Sequence, residues 1–393
     1  MLSFLLPLYA CGPDRPEGRA PRLEYAEEIG PHVAFLQDQH TDPIDYVMGL
    51  FDSHDIVILC ERAHPEITQY ELIRDLASDP RFINRVGHIF TELGGSNLQS
   101  RLDAVFATGG LSDPELAERL LPIYRDLSYY PIWDNYNFYW FIEQLYRLNE
   151  SLASDRHVRL HLSDMPFDWS GMNGARYEEF KSGLGRRDRV MAEQITAGYR
   201  ALLASADAHE KALVIMNFRH AFNDFAFDDG TRGDNVGRYL FEAFPGRVAN
   251  VMLNSIAVLV GSTDQRPVLQ PIQGGKWDAA FRVMGDASLG FDFNGSPFGA
   301  DQFDYFPFNT QTVSYADVFT GFVFHRPLDA HLFVDNVPRL LADHFLDEYR
   351  RRLRIAGTPE TEIEARARSA SGLDTSSYEN LPDMSAMISS WVK

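Results

Sequence analysis

Hydrophobic positions along this chain follow two rhythms that alternate. Short β-branched or apolar runs occur at 56–60 (IVILC), 86–92 (VGHIFTE), 157–163 (HVRLHLS), 212–217 (ALVIMN), 248–253 (VANVML) and 321–325 (GFVFH). Between them lie stretches read as helical, at 66–78, 97–107, 113–128, 134–152, 174–204, 235–244 and 336–355. Asp113-Pro114-Glu115 and Asp134 have the character of helix starts, because a side-chain acceptor ahead of the first turn satisfies free backbone N–H groups. This alternation predicts an α/β fold, a mostly parallel sheet flanked by helices on both faces. Two parts break the rhythm: the paired helices of 113–152, read as a helical insertion, and the aromatic, Gly- and Asn-rich segment 285–312. The expected organisation is one α/β domain over 23–356, with a leading segment 1–22 and a polar, Ser-rich tail, 357–393, that packs loosely.

Composition narrows the setting. With 45% hydrophobic and 23% charged residues over 393 positions the chain is globular in character, and no window of about 18 apolar residues marks a membrane span. Fifty-six acids against 36 Lys and Arg give a net charge of −20, which argues against a nucleic-acid backbone or an anionic membrane as main partner. A small-molecule ligand or substrate is the partner expected. The opening "MLSFLLPLYACG" resembles the end of a bacterial lipoprotein signal, with Cys11 as the lipidated residue, although no Lys or Arg precedes the apolar run. "GPDRPEGRAPR" then suits a tether. The expectation is an extracytoplasmic protein whose membrane contact is an anchor at Cys11, the alternative being a cytoplasmic one without a signal. Cys60 is the other cysteine, so a lipidated Cys11 leaves no disulfide within the chain.

The candidate chemistry lies where strands end. In "DIVILCERAHPEITQYELI" an apolar strand runs directly into Glu61, Arg62 and His64 before a helix begins. Ligands of open α/β sheets bind in the crevice at the carboxyl ends of the strands. Those ends supply Glu61 and His64, then Glu92, then Asp164, then Asn217, Arg219 and His220. A histidine of near-neutral pKa can take a proton from water while a carboxylate orients its ring. The set Glu61, His64, Glu92 and His220 also suits a divalent metal that acidifies bound water. Spacing alone leaves both open. The chain lacks a Gly-x-Ser-x-Gly elbow, a His-Glu-x-x-His helix, a Cys-x-x-Cys pair and a phosphate-binding glycine loop, which weighs against serine hydrolases, standard zinc proteases and nucleotide enzymes.

Six stretches, taken in order, resemble the erythromycin esterase family and its wider superfamily, which includes ChaN-like haem-binding lipoproteins and Tiki-type proteases. They are "LCERAH", "IFTELGG", "FIEQLYRLNESLASDRHVRLHLSDM", "RRDRVMAEQI", "ALVIMNFRHAF" and "VFTGFVFHRPL", together covering about 55–327. The resemblance implies His64 as general base, Glu61 and Glu92 beside it, His220 as the second histidine, and Arg187 and Asp188 on a covering helix. Departures are plain. Cys60 replaces the glycine before the glutamate, Pro65 follows His64, and Asn217-Phe218-Arg219-His220 stands where the esterases read His-Asn-x-His. A macrolide substrate is therefore not carried over. Asp164, Arg187, Asp188 and Arg219 are the candidate substrate-binding residues.

Each assignment has a structural rival. Glu61 and Arg62 can form a simple salt bridge, Asp164 a loop brace, and Arg187 with Asp188 a helix-surface ion pair. His88 and His161 read as packed strand residues and Cys60 as a small core residue. The helix "WDNYNFYWFIEQLYRL" reads as core, with an aromatic wall for a large ligand as its alternative, and "GFDFNGSPFGADQFDYFPF" as a lid or a packed loop. Two functions follow: an esterase-type hydrolase that needs no cofactor unless a metal assists it, or a non-catalytic lipoprotein that binds haem or iron. A decayed site is a third.

Overall fold

The computed structural model describes residues 23–205, 209–226, 230–260, 267–304, 312–369 and 372–393. The signal-like segment, Cys11 included, lies outside them. Among the described residues no helix is long and apolar enough to cross a membrane.

Eleven strands are described: β1 (Ile56–Glu61), β2 (His88–Gly95), β3 (Arg159–Asp164), β4 (Ala212–Asn217), β5 (Val248–Leu253), β6 (Ile256–Val260), β7 (Pro267–Pro271), β8 (Leu289–Asp292), β9 (Gly321–Phe324), β10 (Phe333–Asp335) and β11 (Asp374–Ser376). Seven form one sheet in the order β3-β2-β4-β1-β5-β9-β8, parallel throughout except for β8. The expected α/β class is therefore observed. All six expected strands are present, 212–217 and 248–253 with the bounds read and the other four displaced by one to three residues at an end.

Both faces of the sheet are covered because its central strands are apolar on both sides. Along β1, Ile56, Ile58 and Cys60 enter one buried cluster while Val57 and Leu59 enter the other. The chain crosses from β1 to β2 to β3 over the second face, through helices Thr68–Ser78, Pro80–Arg85, Gln99–Phe106, Asp113–Arg125 and Tyr136–Glu150. It returns through β4 to β5 over the first face, by Arg187–Leu203 and Val236–Ala243. Neighbouring β1 and β4 thus send their chains to opposite faces, which opens a crevice at their carboxyl ends.

The helices of 113–152 are part of this covering layer. Leu116, Leu120, Phe138, Phe141, Ile142 and Leu145 share the buried cluster of Val57, Leu59 and Ile89. A Ser112/Glu115 capping box with Pro114 in the first turn starts the first, and Asn135 rather than Asp134 occupies the N-cap position of the second, without a side-chain bond to its first turn. The stretch expected as one helix over 174–204 is two, Gly174–Ser182 and Arg187–Leu203, parted by a 3-10 turn at Leu184–Arg186. The last expected helix begins at Asp343, since left-handed backbone at Asn336 and Arg339 keeps the preceding residues out of it.

One expectation is corrected, and one pair of alternatives is decided. The polar tail forms helices Glu360–Ser369 and Leu381–Ser389, and Tyr378, Met384 and Ile388 are buried in the main core. Its few apolar residues were enough to dock it, while its polar ones face outward. The described part of the aromatic segment is core as well: Phe291, Phe293, Phe298 and Phe303 are buried around Trp277 and Phe322, so it does not line the crevice. Residues 305–308 of that lid reading lie outside the described residues.

Both sheet edges are occupied. At β8, the ring of Tyr46 lies against Gly290 and Gly321, where any Cβ would collide with it, and its hydroxyl donates to Asp292 at 2.7 Å. At β3, the Asn149 amide donates to the Val158 carbonyl and accepts from its N–H, both at 2.9 Å. The Gln99 amide repeats this one step along, donating to Leu160 O at 2.9 Å and accepting from Leu162 N at 2.7 Å.

Candidate functional site

The first contributor is the end of β1. By strand alternation Glu61 follows Val57 and Leu59, and its backbone lies in register with Asn217 of β4. It is buried beside Tyr70, whose hydroxyl pKa burial and the Glu61 charge push well up. Glu61 Oε2 is 2.8 Å from His64 Nδ1. That fixes the ring and leaves Nε2 directed toward the cavity side, 3.9 Å from Glu92 Oε1.

The turn that carries His64 is pinned from below. Arg62 is buried, and its guanidinium donates to Glu66 Oε2 at 3.0 Å, Thr68 Oγ1 at 3.3 Å, Asn254 Oδ1 at 2.8 Å and the His325 carbonyl at 2.5 Å. Its own N–H donates to Gln69 Oε1 and its carbonyl accepts from Asn217 Nδ2. Arg62 therefore joins the ends of β1, β4, β5 and β9, and it pairs with Glu66 rather than with Glu61. Asn137 adds a bond to the His64 carbonyl at 2.5 Å, and Pro65 O accepts from Val334 N at 2.9 Å.

Glu92 enters through an irregularity. Between Thr91 and Gly95 the β2–β3 register shifts, Gly94 adopting φ 96°, and such bulges re-aim side chains. The buried Glu92 carboxylate accepts from Asn217 N at 2.7 Å and lies 3.5 Å from His220 Nε2 and 3.4 Å from Arg187 Nη2. Burial opposes its charge, but His220, Arg187 and His64 outweigh that and hold its pKa down to about 2.

Arg187 and Asp188 open the helix that follows the 3-10 turn, and that break sets both side chains toward the sheet ends. Arg187 grips Asp164, at the end of β3, with two bonds of 2.8 and 2.9 Å. Asp188 Oδ2 is 2.8 Å from His220 Nδ1. The two histidines are thus built alike, each with Nδ1 on a carboxylate and Nε2 toward Glu92. Burial works against the imidazolium of His64, yet Glu61 first and Glu92 second carry its pKa up to about 9. His220 is likewise raised, Glu92 and Asp188 prevailing over burial.

These groups surround a cavity of about 390 Å³. His64, Glu92, Asp164, Arg187, Asp188, Arg219 and His220 line it, and Glu61 lies behind His64. The structure brings together every candidate read from the sequence. It also adds an aromatic wall of Tyr129, Tyr130 and Trp133, the two tyrosines passed over in the sequence and Trp133 opening the stretch whose alternative reading was such a wall; its indole and the His64 ring are T-shaped at 5.0 Å. The signal was present in "SYYPIW", an aromatic connector with a proline between two helices. The aromatic helix itself is core, with Phe138, Tyr139, Phe141 and Tyr146 buried.

No protein-family model matches the chain, and no curated protein matches it. Solved structures do. The chain is similar to a mutant of erythromycin esterase EreC in its open conformation, at 13% identity and a TM-score of 0.45, over 71% of this chain and 92% of that one. It is similar to a protein from Bacillus cereus at 12% identity and a TM-score of 0.44, over 75% and 97%.

The metal alternative meets an obstacle in this donor set. Nε2 of both histidines and Oε1 of Glu92 converge, but the Arg187 guanidinium sits 3.5 Å from His220 Nε2 and 3.4 Å from Glu92, holding the place of the cation. Among the described residues no group of three or more His, Cys, Asp and Glu has the arrangement of a metal site. Haem fits no better, since the wall that would meet its apolar macrocycle carries Glu92, Asp164, Arg187 and Asp188.

His88 and His161, expected as packed strand residues, contact each other at 2.9 Å, and His161 stacks on Phe90. Cys60 is buried in the core, where burial raises its thiol pKa well above the ordinary value.

Proposed function

We propose that this chain is a hydrolase of ester or amide bonds in which His64 is the general base. The observation that carries this reading is the Glu61–His64 pair, held at 2.8 Å, with the far side of the ring directed into a cavity that holds a second such pair. A carboxylate on Nδ1 fixes the tautomer and stabilises the imidazolium that forms when Nε2 takes a proton.

The reaction runs in two steps. His64 Nε2 removes a proton from water as its oxygen bonds to the carbonyl carbon, giving a tetrahedral oxyanion. The His220 imidazolium and the Arg187 guanidinium supply the positive charge that steadies that oxyanion. The bond to the leaving oxygen or nitrogen then breaks, and the proton held by His64 passes to the leaving group. Glu92 keeps the two imidazoles and Arg187 facing one another.

A pKa of about 9 makes His64 mostly cationic at neutral pH. Only roughly one molecule in a hundred then holds the neutral base at pH 7. Hydrolysis of 4-nitrophenyl acetate is expected to rise through the alkaline range toward pH 9, with kcat/KM tracking neutral His64. A wild-type rate equal to that of His64→Ala at every pH overturns the assignment.

A further inference from the structure

We propose that Arg219 is a seat for an anionic group on the substrate, so that the class hydrolysed is esters or amides bearing a carboxylate or similar anion. This rests on the hydrolase reading above. Its basis is an inventory of the charges lining the cavity. Four groups there carry or take positive charge: His64, Arg187, Arg219 and His220. His64 is held by Glu61 at 2.8 Å, His220 by Asp188 at 2.8 Å, and Arg187 by Asp164 at 2.8 Å. Arg219 stands apart. Its backbone N–H donates to Asn217 Oδ1 at 3.3 Å, fixing the 3-10 turn Phe218–His220, while its guanidinium is exposed on the cavity wall and has no ion pair or hydrogen bond among the described residues.

The carboxylates of the lining show the reverse. Glu92, Asp164 and Asp188 are engaged as described, and Asp234 accepts from the Tyr239 hydroxyl. A cationic substrate would find Glu92, Asp164 and Asp188 already paired with cations, leaving only Asp234 at the exposed rim, whereas an anionic one finds an open guanidinium whose planar fork matches two oxygens. In a chain of net charge −20, with 56 acids to 36 Lys and Arg, an arginine at a cavity without a counter-ion among the described residues is not the default outcome. The same arginine offsets the repulsion that an acidic protein exerts on an approaching anion. Tyr129, Tyr130 and Trp133 supply a flat apolar surface for the remainder of the substrate.

The test compares 4-acetoxybenzoate with its methyl ester, which presents the same acetyl group without the charge, in wild type, Arg219→Gln and Arg219→Lys. Wild type is expected to prefer the carboxylate by about tenfold in kcat/KM, mostly through KM, and Arg219→Gln to bring the ratio toward one. Arg219→Lys should restore part of it, and raised ionic strength should shrink it. A wild-type preference for the methyl ester, or a preference that survives in Arg219→Gln, overturns the proposal. If wild type hydrolyses neither compound, the hydrolase reading fails, and calorimetry with 4-hydroxybenzoate decides the seat separately. Binding weakened by Arg219→Gln keeps the seat, and absence of binding, or binding indifferent to that change, removes it.

Discussion

The two histidines of the cavity share a plan and differ in their foundations. His64 follows a strand buried on every residue, its carboxylate partner is 1% exposed, and the turn beneath it is tied to four strand ends through Arg62. His220 sits on a three-residue 3-10 turn, and its partner Asp188 comes from the first turn of a helix with a side chain 18% exposed. The difference teaches which ring is held more firmly, and on the proposed hydrolase reading the firmer one is the base. A proton acceptor must hold its nitrogen within a few tenths of an ångström of its target, whereas a group that contributes positive charge tolerates more play.

That contrast can be broken most severely at the rings themselves. His64→Ala should cost about a thousandfold in kcat/KM and His220→Ala roughly tenfold to a hundredfold. Equal losses in steady-state assays with 4-nitrophenyl acetate would erase the distinction. Next comes the foundation. Arg62→Met leaves Glu66 buried without its partner and should destabilise the fold by about 3–5 kcal/mol, read in urea denaturation, with activity falling alongside. The matching change on the other side, Asp188→Asn, should leave stability within about 1 kcal/mol.

The pH profile sharpens the comparison further. With His64 as base the rising limb should lie near pH 9, and Glu61→Gln, which removes the chief raising charge, should move it to lower pH. Asp188→Asn should leave that limb in place. The smallest effect is on stability. His64 is raised from 6.5 to about 9 on folding, so its contribution is present in full below about pH 6.5 and lost as pH rises through 9. Glu92, lowered from 4.5 to about 2, contributes in the opposite sense, present above about pH 4.5 and lost as pH falls through 2. The difference in Tm between wild type and His64→Gln should therefore narrow between pH 6.5 and 9.5.

Much of this was legible in the sequence because strand periodicity and strand-end chemistry are local. "IVILC" followed by Glu61 and His64 announces a buried strand and a rim, and the rim is where those residues lie. What the sequence hid is non-local. Arg62 looked like a partner for Glu61 next to it, but its bonds to Asn254 and His325 span 192 and 263 residues. The re-aiming of Glu92 depends on a register shift against β3, which no periodicity records. The tail misled for another reason: a helix needs few apolar residues to dock, and Met384 and Ile388 are spaced by one helical turn within a polar stretch.

The outer edge of β3 has a consequence for how many molecules can share a solution. An edge strand is a template on which a second chain can be laid, and the reward for laying it is a row of backbone partners. Asn149 and Gln99 have already claimed Val158, Leu160 and Leu162. Two side-chain amides thereby imitate the strand that would otherwise arrive from a neighbour, and the sheet has nothing left there to offer. Edge-to-edge pairing of two copies is denied its first contacts on this side of the sheet.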